Sequence, residues 1–203
     1  MSQMQRVALA ACAAAAMIVP TAAMAQLTGG PDSGSYMGGS VGQSTANDFC
    51  TGVSGSGVTC EEKDTSWSVF VGYQINRNLG FEIGYRDFGE ISAITTGAGG
   101  VQTRIESKVF ELVGMGILPF GERFQLYGKF GAYFGETDTV SDFGVTGTQS
   151  GSDSNIDLTY GIGVQYALTK QWGLRAEWQR YQDISSGSVD LDAVAIGVVY
   201  RFK

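Results

Sequence analysis

Histidine is absent from this 203-residue chain, and proline and cysteine occur only three times each. Without an imidazole, the hydrolases and acyltransferases that activate a serine or a water through histidine are excluded. A zinc centre would likewise have to do without its commonest nitrogen ligand. Basic residues are also scarce, at 13 against 20 acidic ones for a net charge of −7, which argues against binding nucleic acid or another polyanion. Beyond the first 25 residues no run of about 18 apolar residues occurs, so no helix could span a bilayer there. What the chain does have is glycine, 30 residues of it, and with so little proline this suits close-packed strands better than helices or a disordered linker. The length allows one domain or two small ones.

The first residues read as an export signal. Arg6 gives a positive start, Val7 to Val19 form an apolar stretch too short to span a membrane, and Ala23-Met24-Ala25 is a small-x-small cleavage site. Cleavage after Ala25 would leave 178 of the 203 residues, and the loss of Arg6 would leave 12 basic against 20 acidic ones, a net charge of −8. Leu9-Ala10-Ala11-Cys12 offers a competing lipoprotein-box reading, but it comes early and the apolar run continues past it.

The closing stretch, Asp192 to Phe202, separates two residues at a time into two faces. Val194, Ile196, Val198, Tyr200 and Phe202 share one, and Ala193, Ala195, Gly197, Val199 and Arg201 the other. Period two marks a strand. A wholly bulky apolar face opposite a small one is the reverse of a soluble sheet around a bulky core, and a strand of about 9 to 11 residues can cross a bilayer when tilted.

Seven further strands follow the same rule: Ser35 to Ser44, Thr65 to Ile75, Leu79 to Phe88, Arg104 to Leu118, one from Phe124 past Phe134, Ile156 to Leu168, and Trp172 to Tyr181. Phe81, Ile83 and Tyr85 face outward against Glu82, Gly84 and Arg86. Phe124, Leu126, Phe130 and Phe134 oppose Gln125, Tyr127, Lys129 and Tyr133, and Leu174, Ala176 and Trp178 oppose Arg175, Glu177 and Gln179. Glu111 falls on the inward face of the fourth strand. Short turns at Asn76–Asn78, Pro119–Glu122 and Thr169–Gln171 alternate with four long polar loops: Thr45 to Asp64, Gly89 to Thr103, Glu136 to Asn155 and Gln182 to Leu191.

These strands predict an all-β fold, an eight-stranded antiparallel up-and-down transmembrane β-barrel occupying residues 26–203. A soluble ligand-binding barrel would show the same alternation with its bulky face inward. Here Glu82, Lys129, Arg175 and Glu177 lie opposite the bulky residues, and a cation at the lipid midplane would cost about 2 to 4 kcal/mol, so the charged face is the lumen.

Three groups of residues carry a family resemblance: Gly72-Tyr73-Gln74 with Gly80-Phe81-Glu82 and Gly84-Tyr85; Gly163-Val164-Gln165-Tyr166-Ala167 with Arg175-Ala176-Glu177-Trp178-Gln179; and Gly197-Val198-Val199-Tyr200-Arg201-Phe202. In order and over nearly all of residues 26–203, they resemble the transmembrane domain of the outer membrane protein A family. The resemblance implies a bacterial outer-membrane location and a polar, side-chain-filled lumen in which Glu82 pairs with Arg175. It also implies Tyr200 and Phe202 as a closing-strand assembly signal. The implied surroundings are outer-membrane lipid and lipopolysaccharide, reached through periplasmic chaperones and the barrel-assembly machinery, with the barrel a monomer. Gln165 departs from the family, which has an acidic residue there, and so does Lys203 after the final aromatic. The family's two-domain members continue into a peptidoglycan-binding domain, and its wall-tethering role is not carried over.

Cys50 and Cys60, the two cysteines past the export signal, are expected to form a disulfide in an oxidising periplasm. Closing that loop of about 11 residues is worth roughly 3 kcal/mol in the chain-entropy model. Neither a catalytic constellation, a cofactor motif nor metal-ligand spacing is present, although acidic loop residues such as Glu61, Glu62 and Asp183 raise the question of Ca²⁺ or Mg²⁺. Burial of an unpaired charge costs several kcal/mol, so Arg175 is expected to pair with Glu82 or Glu177. Two functional classes remain: a structural or surface-interaction barrel displaying four extracellular loops to an unidentified ligand, or a narrow porin-like channel for water or small solutes.

Overall fold

A computed structural model of the chain describes residues 33–47, 58–61, 63–95, 102–142, 148–183 and 190–202. The alternating stretches form β1 (Gly34–Ala46), β3 (Lys63–Gln74), β4 (Leu79–Thr95), β5 (Gln102–Phe120), β6 (Phe124–Asp142), β7 (Thr148–Ala167), β8 (Trp172–Tyr181) and β9 (Leu191–Arg201). All pair antiparallel with their neighbours. Pairing of β1 with β9, from Tyr36 opposite Arg201 to Ala46 opposite Leu191, closes them into an eight-stranded up-and-down barrel. A short β2 (Val58–Glu61) stands outside the ring, against Ser92 to Thr95 of β4.

Period two sends the bulky apolar residues outward. Val41, Leu112, Phe130, Ile162 and Ile196 are each between 58% and 67% exposed, whereas Glu82, Arg86, Lys129, Arg175 and Glu177 are at most 5% exposed. Such an inversion is stable only with lipid outside, because apolar surface gains nothing by facing water. Tyr73 is an exception on the outer side, 5% exposed, with its ring 6.1 Å from that of Phe81. Outward aromatics gather in two belts. Trp67, Tyr85 and Phe110 stand in sequence at 5.6 and 5.2 Å near the long hairpins, and Trp172, Tyr200 and Phe202 at 4.9 and 5.3 Å near the short turns. Amphipathic rings favour these two depths at the membrane–water interfaces.

The short turns are closed locally. Asn76 Oδ1 accepts from the Asn78 and Leu79 amides, Thr169 Oγ1 from those of Gln171 and Trp172, and Gly121 takes the left-handed φ of 65° that the turn between β5 and β6 needs.

Two expected loops are largely strand. β4 does not stop at Phe88. It passes a bulge between Asp87 and Glu90, where Gly89 has φ 79° and donates its amide to Asp87 Oδ1 at 2.9 Å, and continues to Thr95. β6 and β7 likewise stay paired from Gly135 opposite Asn155 up to Asp142 opposite Thr148. In these extensions the strict alternation of bulky apolar with polar residues has ended, while backbone pairing continues.

Candidate functional site

The lumen is where the inward faces of all eight strands meet, and it is filled in layers. Toward the long hairpins, Phe88, Val109, Tyr133, Tyr181 and Leu191 form a buried apolar cluster, with Tyr181 packed edge-on against Phe88 at 4.9 Å and Tyr133 at 5.4 Å. Toward the short turns, Tyr36, Phe70, Met115, Ile117 and Tyr127 form a second. Between them lies the charged layer.

Glu82 on β4, Lys129 on β6, and Arg175 and Glu177 on β8 are brought together. Arg175 Nη1 donates to Glu82 Oε1 at 2.7 Å, and Lys129 Nζ stands 2.8 Å from Glu82 Oε2 and 2.9 Å from Glu177 Oε2. Glu177 Oε1 in turn accepts from Arg86 Nη2 at 2.7 Å. The result is one row, Arg175–Glu82–Lys129–Glu177–Arg86, spanning the lumen. Tyrosine hydroxyls fill the carboxylates' remaining lone pairs, Tyr36 donating to Glu82 at 2.9 Å and Tyr127 to Glu177 at 3.0 Å. The Arg175 guanidinium also lies 4.5 Å from the Phe70 ring centre and 4.9 Å from that of Tyr127, within cation–π range.

Alternation alone puts Arg86 on the inward face but does not join it to the cluster. Facing can be read from alternation, whereas height across the barrel depends on strand stagger, which a single sequence does not display. Glu111 was also placed inward without partners. It accepts from Gln179 Nε2 and from the Tyr181 hydroxyl, both at 2.6 Å. Among the described residues the buried charges are therefore Arg86, Lys129 and Arg175 against Glu82, Glu111 and Glu177, a neutral set. Gln165, the departure from the family pattern, accepts from Arg175 Nη2 at 3.1 Å, so the arginine keeps a partner there.

Glycine makes room for two of the tyrosines. A Cβ on Gly72 would lie 2.4 Å from Tyr36 Cζ, and one on Gly163 would lie 2.3 Å from the Tyr127 hydroxyl. Next to Arg175 lies a cavity of about 10 Å³, room for about one water.

A family model described as the OmpA-like transmembrane domain matches residues 31–203. The chain belongs to the OmpA-like transmembrane domain family. An outer membrane protein A from Serratia marcescens is 30% identical over 142 residues, which cover 66% of this chain and 38% of that protein, so the chain spans well under half of that relative's length. Among solved structures, Neisserial surface protein A matches with a TM-score of 0.56 at 18% identity, covering 83% of this chain and 97% of that one. Ail of Yersinia pestis, in complex with the heparin analogue sucrose octasulfate, matches at 0.52 and 17%, covering 83% and 99%. The OmpA-like chain is thus an integral protein of the bacterial outer membrane, set in its lipid and lipopolysaccharide.

At the extracellular mouth of this OmpA-like barrel, Arg180 holds Asp192 through two bonds of 2.7 Å, and Asn47 donates to the same carboxylate at 2.8 Å, tying β8 and β9 to the end of β1. Tyr133 and Asn155 donate to the carbonyls of Gln182 and Asp183, fastening the β6–β7 hairpin to the segment after β8. At the other mouth, Tyr200 lies between Trp172 and Phe202, and its hydroxyl accepts from Gln171 Nε2 at 3.1 Å. The Cys60 backbone sits in β2 opposite Ala93, while Cys50, and with it the expected disulfide, lies outside the described residues.

Proposed function

We propose that the chain serves as a sealed, rigid outer-membrane barrel whose work is done by its four extracellular hairpins, as a structural and surface-interaction protein. The row Arg175–Glu82–Lys129–Glu177–Arg86 supports this reading, since it crosses the lumen between two apolar layers. Eight strands enclose only enough room for side chains. We read no enzymatic activity, cofactor or metal into the barrel, and take it as a monomer assembled through periplasmic chaperones and the barrel-assembly machinery after removal of residues 1–25. A disulfide between Cys50 and Cys60 would stiffen the first hairpin. The ligand of Ail in its solved complex is polysulfated. In the sequence, the segments between the lipid-crossing stretches include Asp48, Glu61, Glu62, Glu136, Asp138 and Asp142 with few cations, a balance that favours a neutral or cationic surface partner instead.

The alternative, a narrow channel for water or small solutes, takes the same charges as a hydrated lining. Stopped-flow osmotic measurements on liposomes carrying the folded protein separate the two. A sealed barrel leaves water and glycerol permeability at the lipid-only value. Permeability rising in proportion to protein content would favour the channel.

A further inference from the structure

The end of the barrel that carries the short turns opens as a vestibule of about 1030 Å³. Each short turn contributes one cation to its wall, namely Arg77, Arg123 and Lys170, and Arg201 of β9 adds a fourth. Among the described residues lining it, Glu122 is the one carboxylate. This concentration of positive charge occurs in a chain whose net charge is −7. Arg77, Arg123 and Lys170 make no ion pair with a described residue.

The same wall includes Leu168, Trp172 and Phe202, which stand on the lipid-facing side of the barrel and are 49%, 49% and 46% exposed. The vestibule therefore meets the periplasm along its axis and the interfacial layer of the membrane beside β8 and β9. At its floor, Tyr36, Gln74, Gln125 and Gln165 are shared with the small cavity that Arg175 lines, and the buried Arg175 Nε has no hydrogen-bond partner there.

Convergent cations behind an apolar lip suit an amphiphile with an anionic head. We propose that this vestibule binds the phosphate-bearing headgroup of an anionic glycerophospholipid from the periplasmic leaflet. Arg77, Arg123 and Lys170 face the phosphate, and the acyl chains leave over Leu168, Trp172 and Phe202. Guanidinium forks match phosphate oxygens in pairs, and each cation near an anionic lipid surface contributes on the order of a fivefold gain in affinity. A soluble phosphate would meet the same cations without using the lip, and the lip decides for lipid. The inference rests on the barrel and its orientation, and is independent of whether the lumen conducts.

The test uses the folded full-length barrel in phosphatidylcholine bilayers doped with spin-labelled phosphatidylglycerol or spin-labelled phosphatidylcholine. The motionally restricted fraction of each label in the electron paramagnetic resonance spectrum gives its relative association. The expected result is a preference for phosphatidylglycerol of about fivefold or more. That preference should collapse in the Arg77→Gln, Arg123→Gln, Lys170→Gln triple variant and survive in Arg77→Lys, Arg123→Lys. Inorganic phosphate, at ionic strength matched with chloride, should not displace the lipid. Equal association of the two lipids in the wild type would overturn the proposal, as would an undiminished preference in the triple variant. Displacement by phosphate would instead mark a site for soluble anions. All three substitutions lie in exposed turns, and heat-modifiable migration on gels confirms folding. Were the triple variant to fail that check, Lys170→Gln alone, with a severalfold loss expected, decides the matter.

Discussion

Lys129 is the residue on which the lumen turns, because its ammonium faces Glu82 on one side and Glu177 on the other. Removing one member of a buried pair strands a charge, at about 3 to 5 kcal/mol. Arg175→Ala should destabilise the barrel by roughly 3 kcal/mol, toward the low end because Lys129 stays against Glu82, and Glu82→Ala in that background should restore part of the loss. Urea unfolding of the four variants in lipid measures this; additive changes near zero would mean the charges are hydrated and unpaired. Glycine positions make a second test at this scale. Gly163→Ala puts a Cβ against the Tyr127 hydroxyl and 2.8 Å from the Ala176 carbonyl, and should cost about 1 to 3 kcal/mol, whereas Gly116→Ala, with nothing within 4 Å, should be nearly neutral. The inward placement of Glu82, Lys129, Glu111, Arg175 and Glu177 was legible in the sequence because lipid on the other face leaves no other home for a charge. The resemblance implies the pairing of Arg175 with Glu82, which the structure has at 2.7 Å; that of Arg86 with Glu177 was not legible, since the two lie 91 residues apart and meet only through the stagger of the closed sheet.

The strands themselves were legible wherever one face touched lipid. β8 matches its expected bounds, Trp172 to Tyr181, because both its ends fall at the membrane surface. β4, β6 and β7 outrun theirs where the strict alternation of bulky apolar with polar residues stops, and the Gly89 bulge reads in the sequence as a strand end. The projecting hairpins can be checked by thiol labelling in a background with Cys50 and Cys60 changed to Ser. A membrane-impermeant maleimide added to intact cells should label Ser154→Cys and leave Thr169→Cys untouched until the outer membrane is opened; the reverse pattern would invert the barrel. At the closing strand, Phe202 stacks edge-on against Tyr200 at 5.3 Å, and the Phe202 amide donates to the Ser35 carbonyl at 2.9 Å. As a proposed assembly signal, Phe202→Ala should lower the yield of the heat-modifiable folded band. An unchanged yield would place the signal elsewhere.

The whole molecule is a barrel turned inside out relative to a soluble protein, with the six buried charges among the described residues forming a neutral set and its bulky apolar side chains given to lipid. Two apolar clusters cap the charged layer from either end. A lumen sealed by this arrangement makes the hairpins rather than the pore the working part. Single-channel recording in a planar bilayer, with the folded protein inserted from detergent, tests the seal most directly. A sealed lumen gives lipid-only current for the wild type at moderate voltage, with openings emerging only in variants such as Lys129→Ala that break the row of ion pairs. Steady, protein-dependent single-channel currents in the wild type, left unchanged by Lys129→Ala, would contradict it.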